Sequence, residues 1–124
     1  MLFDLDLKSG IPIYIQLKEK IKLAVATGKY PPGAQLPTVR QMAVDLRINA
    51  NTVARVYSEL ESEGFLATRQ GKGTFVREIT EIKADDREKS LQDLIDTLLI
   101  ECASRGFAPE LLLTELEKRI KNKQ

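Results

Sequence analysis

The sequence predicts a mainly α-helical protein with a small β-hairpin wing: a winged helix-turn-helix followed by a two-helix C-terminal dimerisation unit. Three observations carry this. Between residues 36 and 76, two short amphipathic helical patterns flank a brief polar break and run into a glycine stop and two strand-like runs around a glycine-rich tip. A long, single apolar stripe of helical period occupies the chain after residue 86. Charge is also split: residues 1–77 hold 11 Lys and Arg against 7 Asp and Glu, whereas residues 78–124 hold 8 against 11, so a basic module precedes an acidic one under a net charge of only +1.

In chain order, residues 1–9 place Leu2, Phe3, Leu5 and Leu7 in near alternation with charges. This predicts an extended lead-in, either an edge strand or an arm against a partner. Pro12 suits the first turn of a helix. Tyr14, Leu17, Ile21, Ala24 and Val25 form the apolar face of that helix, and Gly28 ends it. Lys18, Lys20, Lys22 and Lys29 lie in or just after it and are expected on a solvated surface, with weak phosphate attraction as the alternative. Tyr30-Pro31-Pro32-Gly33 is a rigid turn that reverses the chain.

Thr38-Val39-Arg40-Gln41 fits the capping box, in which a hydroxyl and a Gln three residues later satisfy each other's backbone N–H. Val39, Met42, Ala43 and Leu46 then share one helical face, and the pattern stops at Arg47-Ile48-Asn49. Asn49 is a good N-cap for the next helix, in which Val53, Val56, Tyr57 and Leu60 repeat the spacing and Gly64 is the natural stop. Asn51, Arg55, Ser58 and Ser62 fall on its opposite side. A recognition helix needs such a face, because its N-terminal residues reach base edges. Residues 66–69 and 74–77 read as strands around Gln70-Gly71-Lys72-Gly73, a tip able to approach a phosphate backbone closely and expected to leave its backbone N–H groups bare.

Residues 78–86 read as a linker. Leu91, Leu94, Ile95, Leu98, Leu99 and Cys102 then make the long stripe, and Arg105-Gly106 marks its end. Pro109 starts a further helix containing Leu111, Leu112, Leu113, Leu116 and Ile120, and residues 121–124 are expected to fray. Two helices alone bury too little to be stable, so their stripes need another surface. A second copy of the chain supplies it most simply, as an isologous dimer through residues 85–121 with Leu91, Leu94, Ile95, Leu98, Leu99, Cys102, Leu112 and Leu116 at the interface. Packing onto the chain's own winged helix is the alternative. The domain reading is therefore 1–77 and 78–124.

Composition excludes much else. With no histidine, the usual general base, histidine metal sites and Ser-His or Cys-His systems are gone. No carboxylate pair stands out, so no catalytic residue, metal ligand or cofactor is expected. Cys102 is the only cysteine and is expected to be buried packing, which rules out an intramolecular disulfide. No apolar run is long enough to span a membrane and no secretory leader is visible.

The matched pattern extends further. Pro12-Ile13-Tyr14, Gly28, Tyr30-Pro31-Pro32-Gly33, Leu36-Pro37-Thr38, Arg40, Asn51-Thr52-Val53, Arg55, Tyr57, Glu59-Leu60, Glu63-Gly64 and residues 71–76 stand at the spacing of one family. The stretch resembles the DNA-binding domain of GntR-type bacterial transcription regulators, over about residues 10–77. The short helical tail is similar to that of the YtrA-type subfamily, whose members are implied to be dimeric repressors of transporter operons and of their own promoter. The resemblance implies a double-stranded DNA partner and a cytoplasmic location. An effector is unknown, since the tail is too short for a large ligand domain.

The candidate DNA-binding residues are Thr38, Arg40, Asn49, Asn51, Thr52, Arg55, Gln70, Gly71, Lys72 and Gly73. Arg40 matches an arginine that contacts DNA in the family; a surface salt bridge is the alternative. Asn51 can pair with adenine and Thr52 can touch a phosphate or thymine methyl. Asn49 divides between capping and contact, and Arg55 between contact and bracing Glu59 four residues on. Ala50 and Ala54 stand where many family members carry base-reading arginines, so the operator of those members does not transfer. Two other functions compete with this one: a protein-interaction module and a small carboxylate enzyme. The charge split and the bare polar start of the recognition helix favour DNA.

Overall fold

The structure, a computed structural model, describes residues 2–78 and 84–121. Its elements are α1 (Ile13–Ala26), α2 (Val39–Leu46), α3 (Ala50–Ser62), β1 (Leu66–Arg69), β2 (Gly73–Val76), α4 (Ala84–Ser104) and α5 (Pro109–Lys121). They fall into two compact units, Met1–Glu78 and Ile79–Gln124.

In the first unit, α3 packs against both α1 and α2, and the hairpin closes the remaining side. Leu17 and Ile21 of α1, Met42 and Leu46 of α2, and Val53, Val56, Tyr57 and Leu60 of α3 form the buried core. Local chemistry sets the helix ends. Thr38 and Gln41 complete a reciprocal capping box at the start of α2. That helix ends where Arg47 turns left-handed, at φ 58°, and Ile48 N–H bonds back to the Ala43 carbonyl. A non-glycine residue there is strained by about 1–2 kcal/mol. At the end of α3, Gly64 takes φ 89°, with Gly64 N–H on the Glu61 carbonyl and Phe65 N–H on the Leu60 carbonyl, a Schellman motif.

The hairpin is antiparallel and pairs Leu66 with Val76 and Arg69 with Gly73. The second strand thus begins one residue earlier than periodicity indicated, and Arg77 lies past its end. Residues 34–36 lie alongside it: Leu36 N–H bonds to the Thr74 carbonyl at 2.9 Å and Val76 N–H to the Ala34 carbonyl at 2.8 Å. The turn after Pro31-Pro32 therefore lines the wing as well as reversing the chain.

The lead-in is neither strand nor free arm. Phe3 enters the core and meets Tyr30 edge-on with ring centroids 6.2 Å apart, because the apolar pocket nearest to it belongs to its own unit. Leu2 N–H bonds to the Asp45 carboxylate and Gln16 holds the backbone of Asp6 and Ile11.

In the C-terminal unit, α4 begins at Ala84, inside the expected linker, and Glu78 belongs to the first unit; residues 79–83 lie outside the described residues. The expected fraying at 122–124 lies outside them too. Gly106 and Phe107 close α4 on the carbonyls of Ala103 and Cys102. Among the described residues of this unit none is buried, and Cys102 is half-buried rather than enclosed, because α4 and α5 offer each other only a narrow contact.

Candidate nucleic-acid interface

The recognition helix is α3. Its core side is fully covered, while Asn51, Arg55, Ser58 and Ser62 are exposed. Asn49 caps it: its side-chain oxygen accepts from Asn51 N–H at 2.7 Å. Capping therefore engages Asn49 as an acceptor, and Thr38 is likewise engaged by Gln41 N–H at 3.0 Å. Asn51 keeps its own amide outside the helix backbone bonding. Thr52 is half-buried, and Arg40 is exposed in the first turn of α2.

The start of α2, the outer side of α3 and the hairpin surround one groove of about 510 Å³, lined by Val39, Ala54, Ser58, Glu61, Thr68 and Thr74 among others. Across its floor, Tyr57 donates to the Pro37 carbonyl at 2.7 Å, and burial pushes its phenol far above its ordinary range. The Thr68 hydroxyl donates to the Glu61 carboxylate, fastening α3 to the hairpin.

The tip spans Gln70, Gly71 and Lys72; Gly73 is the first residue of β2. Lys72 N–H is not bare but closes the turn on the Arg69 carbonyl at 2.9 Å. Gly71 has φ 76°, the positive value that the third position of a type II turn requires. Gln35 braces the tip, its side-chain amide donating to the Lys72 carbonyl at 2.9 Å. A Cβ on Gly73 would stand 2.6 Å from that amide nitrogen, so a side chain there would break the brace. The Lys72 side chain is left exposed.

Arg55 is held rather than loose. Its Nε donates to Glu59 at 2.9 Å and its guanidinium lies 3.9 Å from the Tyr14 ring centroid. The hydrogen bond from Arg55, followed by that from Lys18, holds the Glu59 carboxyl below its ordinary range. Two of the lysines of α1 depart from the expected solvated surface, whereas Lys20, and Lys29 just after the helix, are exposed as expected. Lys18 pairs with Glu63 and, at 3.1 Å, with Glu59, and Lys22 reaches Glu63 at 3.0 Å. The bond from Lys18 and then that from Lys22 lower Glu63 likewise. These two lysines tie α1 to the end of α3, and the candidate contacts at Arg40, Asn51 and Lys72 lie elsewhere.

Two contributors escaped the sequence reading. Gln35 sits in an aperiodic loop, and only the strand-like pairing of its neighbours reveals it. Tyr14 was legible as apolar face, but its stacking on a residue 41 positions away was not. Among the described residues, no group of three or more His, Cys, Asp or Glu could hold a metal ion, and no helix is long and apolar enough to cross a membrane.

Comparison with known proteins agrees with this geometry. Residues 13–76 match the family model for "Bacterial regulatory proteins, gntR family". The HTH-type transcriptional regulator YhcF of Bacillus subtilis is 34% identical over 110 residues, covering 89% of this chain and 91% of that protein. The HTH-type transcriptional repressor YtrA of the same organism is 31% identical, covering 90% and 86%. The DNA-binding domain of AraR, solved in complex with operator ORE1, superposes with a TM-score of 0.52 at 34% identity, covering 60% of this chain and 94% of that one. The chain therefore belongs to the GntR family of bacterial regulatory proteins and is a DNA-binding transcription regulator built on a winged helix-turn-helix.

Proposed function

We propose that this regulator is a homodimeric repressor that binds a two-fold-symmetric operator in the bacterial cytoplasm, with helix 49–63 in the major groove and wing 66–77 on the backbone. The observation that carries this is the single groove shared by the α2 start, α3 and the hairpin, with exposed Asn51, Arg40 and Lys72 on the elements that form it. Asn51 reads a base, Arg40 and Lys72 hold phosphates, and Thr52 fixes the helix on the backbone. The exposed stripes of α4 and α5 supply the second copy, so that each operator half faces one recognition helix. No cofactor takes part and no effector is assigned.

The test is a salt-titrated binding assay on DNA from upstream of the regulator's own gene. Phosphate contacts release counterions, so affinity must fall steeply with salt. Lys72→Ala should weaken binding to all sequences alike and reduce the salt slope by about one. A slope that Lys72→Ala leaves unchanged removes the wing tip from the interface, and salt-independent binding removes the phosphate contacts assigned to Arg40 and Lys72.

A further inference from the structure

The two long edges of the recognition helix differ. Toward α1 stands Arg55, engaged by Glu59 at 2.9 Å and stacked on Tyr14. Toward the wing stand Ala50 and Ala54, both exposed and one turn apart, and Ala54 forms part of the groove wall. In its first two turns this wing-side edge exposes no hydrogen-bonding side chain, since Tyr57, which also lines the groove, is buried and spends its hydroxyl on the Pro37 carbonyl. The next residues along it are Ser58 and Glu61, and the Glu61 carboxylate already accepts from Thr68. Asn51 lies beside the alanines, with its side-chain amide turned to neither the core nor the cap.

A major-groove floor offers two kinds of features to such an edge. Guanine shows only acceptors, O6 and N7, which alanine would desolvate without replacing their bonds. An A·T pair shows the adenine N6/N7 edge, which an amide matches with one donor and one acceptor, and the thymine C5 methyl, which packs on another methyl. Resting on the DNA-binding reading above, we propose that α3 is a reader of consecutive A·T pairs: Asn51 takes an adenine, and Ala50 and Ala54 pack on the C5 methyl groups of neighbouring thymines.

Thymine and uracil differ only by that methyl, which makes the test direct. The full-length protein is used to select sites from a randomised duplex pool, and each thymine of the selected half-site is then replaced singly by uracil. Consecutive A·T pairs should emerge, and uracil should weaken binding by about 3- to 5-fold at one or two positions per half-site, the worth of one buried methyl. Ala54→Gly should erase the thymine-over-uracil preference at one of those positions. That preference is a ratio within each variant, so a change in helix stability cancels. Selected half-sites read at G·C pairs, or equal affinity for uracil and thymine in the unaltered protein, overturn the proposal while leaving DNA binding intact. A pool that yields no sequence preference overturns sequence-specific binding as well.

Discussion

The first unit and the C-terminal unit are built from the same kind of amphipathic helix, yet only one closes on itself. In the first, Leu17, Ile21, Met42, Val53, Val56 and Leu60 lose all contact with solvent. In the second, Leu91 stays 57% exposed, Leu94 66% and Leu98 42%. Three helices and a hairpin enclose a volume, whereas two helices share one line of contact and leave the rest of each stripe outside. An apolar stripe thus specifies that a partner surface is needed; the number of elements within reach decides whether the same chain provides it.

Substitutions in the two units sharpen the contrast. Leu60→Ala, at the centre of the closed core, should cost about 2–5 kcal/mol. Denaturant unfolding should show a lowered midpoint that does not depend on protein concentration; a midpoint unchanged from wild type would remove Leu60 from the core. Leu98→Asp should act in the opposite manner, leaving the first unit folded but dissociating the proposed dimer. Sedimentation at micromolar concentration should then show a monomer, and operator affinity should fall by about 100-fold as bivalence is lost. A wild-type protein that is itself monomeric at that concentration breaks the comparison, because the exposed stripe would then need no second copy.

Asn51→Ala probes the outside of the closed unit. It should cost roughly 1–3 kcal/mol on the true operator and relax preference at one base position per half-site, with melting unchanged because the side chain is exposed. A titration against single-base operator variants checks this; an equal loss on operator and random DNA would make Asn51 a positioning residue. The smallest effect concerns the ion pairs joining α1 to α3. Glu59 and Glu63 have lowered native pKa values, so the stability they add is complete above the ordinary carboxylate range, about pH 4.3, and is lost as pH falls through their native values. Glu63→Gln should flatten that acid limb of a melting-temperature profile and leave the neutral-to-acid difference smaller; an unaltered profile would mean solvent already screens the cluster.

How much was legible follows from the range of each interaction. The spans of α1, α2, α3 and α5 were readable because periodicity, the Thr38–Gln41 box, the Asn49 cap and the Gly64 stop act within a few residues of where they are written. The exposure of Arg40 and Asn51 was readable for the same reason, since a position off an apolar face is a local property, and that of Lys72 followed from the glycines on either side of it. The early start of α4 was not, because residues 84–90 carry no apolar stripe to mark a helix.

By itself, then, the sequence determined the spans of α1, α2, α3 and α5, the caps of α2 and α3, the existence of the wing, the charge split between the halves and the family. Only the tertiary structure decided where Phe3 goes, that Lys18 and Lys22 are spent on Glu59 and Glu63, that Arg55 lies against Tyr14, and that Gln35 holds the wing tip. Each of those joins residues far apart in the chain, and no local pattern encodes which distant side chain will arrive. That is settled only when packing of the apolar faces fixes the helices against one another and thereby decides which polar groups come within reach of each other.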